Sequence, residues 1–503
     1  MAIDALGTEL PGRLALAEPV RRAMATGGWQ IRAEISRGDA AAVAEAISAA
    51  IAAGADATAI QPAWPGSRGA GVIDAIDARV ALAPAHAASH PIYIHAGALA
   101  SPWLAARLFA AEGYPQAAMR GGVLASPIAT LAAEGCLPGP LDRAIADCAS
   151  AFSVEQAREL DLLSCSALPA HDAGADAATS IALVLAQLAE YGRRFDAAGV
   201  PAERWLRRTW LEIGVDGDVL EAAAATRALR ACHARLCAAI GVRGVRARIA
   251  AHCTRRGATR HDAPTNLLRA TAEATAAAIG GADAITIRPW DHALGGDSRA
   301  AERLTVTMQA VLRREGRIGD VADPCAGAYF LETLTDAIAR EAFNIWQELE
   351  AGGGILPALR DGALQRRIAV QRADVLAAIA SRSVAIVGVS VSPAATVAAS
   401  GSGRDDVALP FAADALASIQ DVGGARDALR IGATIAAVEA SIARCGDDND
   451  AEVCTPLCAM RWATGWEVLR QRLDGLGDAA PLVFLAALGP PNRHKGRLDF
   501  ARE

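Results

Sequence analysis

Short apolar runs recur along this chain at helix-length intervals, and that spacing constrains its fold more than any other feature. They are DATAIQP (56–62), PIYIHAG (91–97), TWLEIGV (209–215), RARIAAH (246–252), DAITIRP (283–289) and SVAIVGV (383–389). Each has the length of a buried strand, and Ala-rich stretches with helical periodicity lie between them. Several intervals hold one helix and others a multiple of it, the pattern of repeated β-α units around a parallel sheet. A doubly wound sheet would need a glycine-rich phosphate turn after its first strand, and none follows DATAIQP. The expected fold is therefore α/β, a (β/α)8 TIM barrel over residues 41–392 behind an N-terminal arm of residues 1–40. In such a barrel the working side chains stand at the C-terminal strand ends, which is where His252 falls.

Composition narrows the possible partners. The 503 residues are 52% hydrophobic but only 4% aromatic, so a large core is available and must be built mostly from Ala, Val, Leu and Ile. Lys and Arg number 49 against 56 Asp and Glu, a net charge of −7, which offers no basic footprint to nucleic acid or to an anionic membrane. The start MAIDALGTEL lacks the basic and apolar regions of a signal peptide, and apolar windows such as 40–59 are broken by charges or glycine. A cytoplasmic location is expected. The ten cysteines are scattered, and the closest pairs, Cys232/Cys237 and Cys454/Cys458, have no second pair at metal-ligand spacing. Reduced thiols and no metal site are expected.

Beyond residue 390 the character changes. VSPAATVAASGSGRDD opens a linker region, 393–480, that also carries the helical stretches ATIAAVEASIARC and TGWEVLRQRL. Residues 481–503 hold the apolar run PLVFLAALG and then GRLDFARE, one strand and the opening of one helix. Those two pieces cannot bury their own faces, so they either pack on something else or form the truncated start of a further, flavodoxin-like domain.

Several motifs in fixed order resemble the methylmalonyl-CoA mutase family. They are GWQIR (28–32), HDAGAD (171–176), TRALRACHARL (226–236) and the run from Asn266 to Glu350 with NLLRATAEATAAAIGGADAITIRPWD, RLTVTMQAVLRREG, DPCAGAYFLETLTDAIAREA and WQELEAGGG. The resemblance implies a barrel that threads acyl-CoA along its axis, then a linker, then a cobalamin domain. It also implies isomerisation of (R)-methylmalonyl-CoA to succinyl-CoA with adenosylcobalamin, a radical reaction that needs a dry, rigid site.

Carried over residue by residue, the resemblance points to a chain without its own chemistry. Val20 and Met24 stand at the positions of the family's active-site tyrosines before Trp29. Registered from Asp262 and Asn266, Ala250 stands for the catalytic histidine, His252 for a glutamine and Arg256 for a tryptophan. In the cobalamin motif Pro491 replaces the aspartate and Arg493 the cobalt-ligating histidine; Gly496 matches, and His494 is one residue out of register. Three residues remain candidate substrate ligands: Arg208, at the place of a carboxylate-binding arginine although Glu212 follows to neutralise it; Gln309; and His252, also readable as a structural histidine. DPCAGAYFLE reads as a tight turn leading into the last barrel strand, and GGAD (280–283) and GGG (352–354) as helix stops.

The resemblance is strongest to the family's small, non-catalytic subunit. It implies a heterodimer with a catalytic large subunit that holds adenosylcobalamin, with the arm and the 390–503 region contributing to a large apolar interface. Two other readings stay open: the acyl-CoA barrel of a split cobalamin-dependent mutase, and a non-enzymatic acyl-CoA-binding or regulatory barrel.

Overall fold

The computed structural model describes residues 28–392, except 63–69, 71–74, 99, 116–118, 138, 254 and 297, together with 429 and 453–476. Its centre is a closed parallel barrel in which every strand pairs with the next in sequence and the last with the first. The strands are β1 (Gln30–Ile35), β2 (Ala57–Ile60), β3 (Ile92–Gly97), β4 (Gly121–Ala125), β5 (Asp161–Ser166), β6 (Thr209–Val215), β7 (Ile249–Cys253) and β8 (Ala284–Thr286). Among the described residues the helices that matter here are α1 (Ala40–Ala53), α2 (Pro127–Glu134), α3 (Leu168–Ala173), α4 (Ala177–Ala197), α5 (Val219–Ala239), α6 (Asn266–Ile279), α7 (Arg299–Arg314), α8 (Tyr329–Ala351) and α9 (Thr464–Leu476).

Local chemistry sets many of these ends. Asp39, Asp176, Asp218 and Ser298 cap α1, α4, α5 and α7 by accepting a backbone N–H from the first turn. Gly54 closes α1 in the left-handed conformation at φ 92°. β5 and β6 are buried along their whole length because helices cover the outside while side chains fill the inside. Seven of the nine described cysteines are buried.

Four readings need correction. The barrel begins at Gln30, inside the stretch expected to be an arm, because the polar residues of QIRAEI point into a polar interior. SVAIVGV is a tight loop closed by a bridge from Val387 to Val391, with Val384 and Val387 exposed. Strands β8 and β1 already pair, so the closed sheet has no edge left to receive it. DPCAGAYFLE does turn at Asp323, but then enters α8 and not a strand. Its apolar residues Leu331, Ile338, Ala339, Ala342, Phe343 and Trp346 follow the helical period and are buried. Finally, Glu212 does not neutralise Arg208; it faces His95. GGAD and GGG end α6 and α8 as expected. Residues 1–27 with Val20 and Met24, most of 393–480, and all of 481–503 lie outside the described residues.

Candidate functional site

Inward-facing positions alternate along each strand, so the chemistry of the axis follows from every second residue. At the waist β1 supplies Arg32, β3 Tyr93 and β6 Trp210. The Arg32 guanidinium carbon lies 3.9 Å from the Tyr93 ring centre and 4.4 Å from that of Trp210. The two rings meet nearly edge to face, 5.7 Å apart. Trp210 donates to Asp161 at 2.8 Å, and Arg248 pairs with the same carboxylate while stacking 4.3 Å above the indole. Arg32 also donates to Gln30 at 3.0 Å. Ala57, Ala250 and Ala284 are the small neighbours that give these groups room, and Tyr93, Leu124 and Trp210 are at most 4% exposed. The axis is filled with side chains at this height.

Above the waist, toward the C-terminal ends, a second polar layer forms. His95 on β3 and His252 on β7 meet edge to face with ring centres 6.3 Å apart, and His95 Nδ1 lies 3.5 Å from Glu212. Burial pushes the His252 imidazole down to about 4, against the pull of Glu212 and Glu34, so the ring is neutral near neutral pH. Burial would raise the Glu34 carboxyl, but Arg288, 3.2 Å away, and His252 hold it at about 2. The Nε2 atoms of both histidines, Glu212 Oε1, Ser164 Oγ and Thr286 Oγ1 are buried without a hydrogen-bond partner.

The three sequence candidates do not converge. Arg208 precedes β6 on the N-terminal side of the barrel, where it donates to the carbonyls of Leu160, at 2.6 Å, and of Ala157. Burial lowers its guanidinium to about 10. Gln309 lies on α7 behind β1, fully buried, accepting from the Trp29 indole at 2.9 Å and donating to Thr305 at 3.1 Å. Only His252 faces the interior near the mouth. Sequence reading missed Arg32, Tyr93, His95 and Trp210; the available signal was the alternation of Gln30, Arg32 and Glu34 within one strand.

One sector of the C-terminal rim is strapped by residues 453–462. The segment donates backbone N–H groups to Gly135, Ala132, Asp172 and Arg256, at 2.7 to 2.9 Å. Arg256 anchors it: the guanidinium binds Asp216 and donates to the carbonyls of His171 and Ala175 at 2.8 Å, while Trp462 covers its face. Burial opposes ionisation of Asp216, but His171 and Arg256 together hold its carboxyl well below the usual range. Gly214 is required beside this knot, since a Cβ there would stand 2.3 Å from the His171 ring. α9 follows the strap, and its Glu467 accepts from Arg260 N at 2.6 Å and pairs with Arg461.

Fold and interior together define the class: a (β/α)8 barrel with a polar axis filled at its waist and a C-terminal strap across its rim. The profile of the methylmalonyl-CoA mutase family matches residues 2–455. The chain belongs to the methylmalonyl-CoA mutase family, whose chemistry depends on cobalamin. It is 30% identical over 401 residues to a methylmalonyl-CoA mutase small subunit of Streptomyces virginiae, covering 78% of this chain and 57% of that protein. A small subunit of Porphyromonas gingivalis is 31% identical over 222 residues, 43% of this chain and 36% of that protein. The 2-hydroxyisobutanoyl-CoA mutase large subunit of Aquincola tertiaricarbonis is 27% identical over 222 residues, 43% and 40% of the two chains. The chain spans about half the length of the first two curated relatives it matches, at 57% and 47%. Among the described residues no group of His, Cys, Asp and Glu could hold a metal ion, and no helix is long and apolar enough to cross a membrane. Pro491 and Arg493, at the aspartate and histidine positions of the resemblance to the cobalamin motif, and the out-of-register His494 lie outside the described residues.

Proposed function

We propose that this chain is the non-catalytic, small-subunit-like component of a cytoplasmic methylmalonyl-CoA mutase. It pairs with a catalytic large subunit that holds adenosylcobalamin and isomerises (R)-methylmalonyl-CoA to succinyl-CoA. The observation that carries the reading is the waist: Arg32 clamped between Tyr93 and Trp210 occupies the space an acyl-CoA arm would need. Ala250 at the position aligned with the catalytic histidine supports it, as do the relatives named small subunits. Its role in the complex is to stabilise the partner through a large apolar interface. The test is sedimentation of the chain mixed with a catalytic large subunit, beside calorimetric titration of the chain alone with adenosylcobalamin. A one-to-one complex and no cobalamin binding by this chain are expected; no complex, or tight cobalamin binding, would sink the reading.

The match to a protein named as a mutase large subunit supports a second reading, the acyl-CoA barrel of a split mutase. Tight acyl-CoA binding by the isolated chain would select it. Acyl-CoA binding with neither a mutase partner nor turnover would select the non-enzymatic barrel instead.

A further inference from the structure

The rim sector left beside the strap carries an unusual concentration of cations. Arg37, Arg255 and Arg288 each stand two residues beyond the end of a strand, β1, β7 and β8 in turn, and these three strands are neighbours in the closed sheet. All three side chains therefore start from the same face of the barrel at adjacent positions. Arg37 donates to the Gly295 carbonyl at 3.1 Å, and Arg288 pairs with Glu34. Arg255 forms no ion pair among the described residues; the strongest influence on its guanidinium is the charge of Arg288, which with burial lowers it, while Glu34 and Asp172 act in the opposite sense. His292 is crowded by the same groups: burial first, then Arg288 and Arg255, push it to about 3. A recess lined by Glu34, Arg37, Arg288, His292 and Glu302 opens in this sector.

The floor below supplies a second, independent observation. His252 and Thr286 are cross-strand neighbours on β7 and β8, 2% and 1% exposed. Neither His252 Nε2 nor Thr286 Oγ1 has a hydrogen-bond partner. Buried polar atoms without protein partners are costly, at about 1–3 kcal/mol each in general, and two side by side on the β7–β8 floor are donors that an acceptor oxygen could engage.

We propose that the β7–β8–β1 sector of the barrel mouth binds the phosphate group of a small metabolite, held by Arg37, Arg255 and Arg288 from the rim and by Thr286 and His252 from below. A carboxylate has two coplanar oxygens and matches one guanidinium; a phosphate is divalent and tetrahedral and can accept from several directions at once. That geometry suits cations arriving from three strands. The loops after strands 7 and 8 are a recurrent phosphate position in barrels of this type. Neutral His252 donates in its Nε2–H tautomer, and Thr286 through its hydroxyl. The site does not use the filled waist and does not depend on the chain's role in the mutase complex.

Calorimetric titration of the purified full-length chain with inorganic phosphate tests this, with acetate as the carboxylate probe. Saturable phosphate binding is expected, tighter than acetate and weakened by about tenfold or more in Arg255→Gln, the loss of one charge-assisted contact. Arg255 forms no ion pair among the described residues and lies on the rim loop after β7, so this variant folds as the parent does. Thr286→Val, which keeps the shape and removes the hydroxyl, is expected to weaken phosphate several-fold, whereas Arg207→Gln, paired with Glu203 on the other side of the barrel, should leave binding unchanged. Absence of saturable phosphate binding, equal binding of acetate, or unchanged binding in Arg255→Gln would each overturn the proposal.

Discussion

The waist and the mouth of this barrel are built from the same kinds of residue, yet they are finished differently. At the waist the polar groups are held chiefly by one another: Trp210 and Arg248 share Asp161, and Arg32 lies between two ring faces and donates to Gln30, although its Nη1 has no hydrogen-bond partner. One layer up, His95, His252, Glu212 and Thr286 each leave a buried atom without a partner. A polar cluster closed by stacking and ion pairs rigidifies a core, whereas several buried polar atoms without protein partners carry a free-energy cost that a group able to reach them would relieve. The contrast teaches that filling the waist did not turn the whole interior into inert packing.

The largest expected effect breaks the waist. Trp210→Ala removes a buried indole, its bond to Asp161 and its stacking on two guanidiniums, and should cost about 3–5 kcal/mol, read as a lower urea midpoint. A smaller loss would mean that the waist is not the close-packed plug described. Arg256→Ala separates the strap from the rim by removing the guanidinium that binds Asp216 and the carbonyls of His171 and Ala175; a loss of roughly 2 to 3 kcal/mol is expected, with faster proteolysis within residues 453–476. Unchanged cleavage would show that the strap is held by its backbone bonds and not by Arg256.

The mouth answers to pH. Unfolded, His252 gains its proton near pH 6.5, but folded it resists down to about 4. The unfolded state therefore binds more protons within that window, and this contribution to stability is complete above it and declines as pH falls through it. From about pH 7 to about pH 5 the loss amounts to about 2 kcal/mol, and His252→Gln should remove it in paired urea titrations. An equally steep pH dependence in the variant would place the effect elsewhere. The smallest expected change is in Arg255→Gln, within about 0.5 kcal/mol of the parent in thermal unfolding, because the residue supports a ligand site and not the fold.

How far the sequence revealed this differs between the two regions. The barrel itself was legible, because five of the apolar runs fall on β2, β3, β6, β7 and β8 and their spacing matches β-α units. β1 was hidden because Gln30, Arg32 and Glu34 interrupt its hydrophobicity, an alternation that makes sense only once the interior is known to be polar. SVAIVGV misled for the opposite reason: strand-like composition cannot reveal that β8 and β1 have already closed the sheet. The plug was illegible in principle, since Arg32, Tyr93 and Trp210 are far apart in the chain and meet only through closure. His252 could be placed at a strand end from its position, but its neighbours His95 and Thr286 could not. Arg208 and Gln309 looked suitable as ligands by type, and three-dimensional contacts commit both to structural hydrogen bonds.

The central claim is that the filled waist keeps acyl-CoA off this chain. Calorimetric titration of the isolated protein with methylmalonyl-CoA tests it most directly. No saturable heat in the parent is the expected result; tight one-to-one binding would contradict the claim and make the barrel itself the acyl-CoA site.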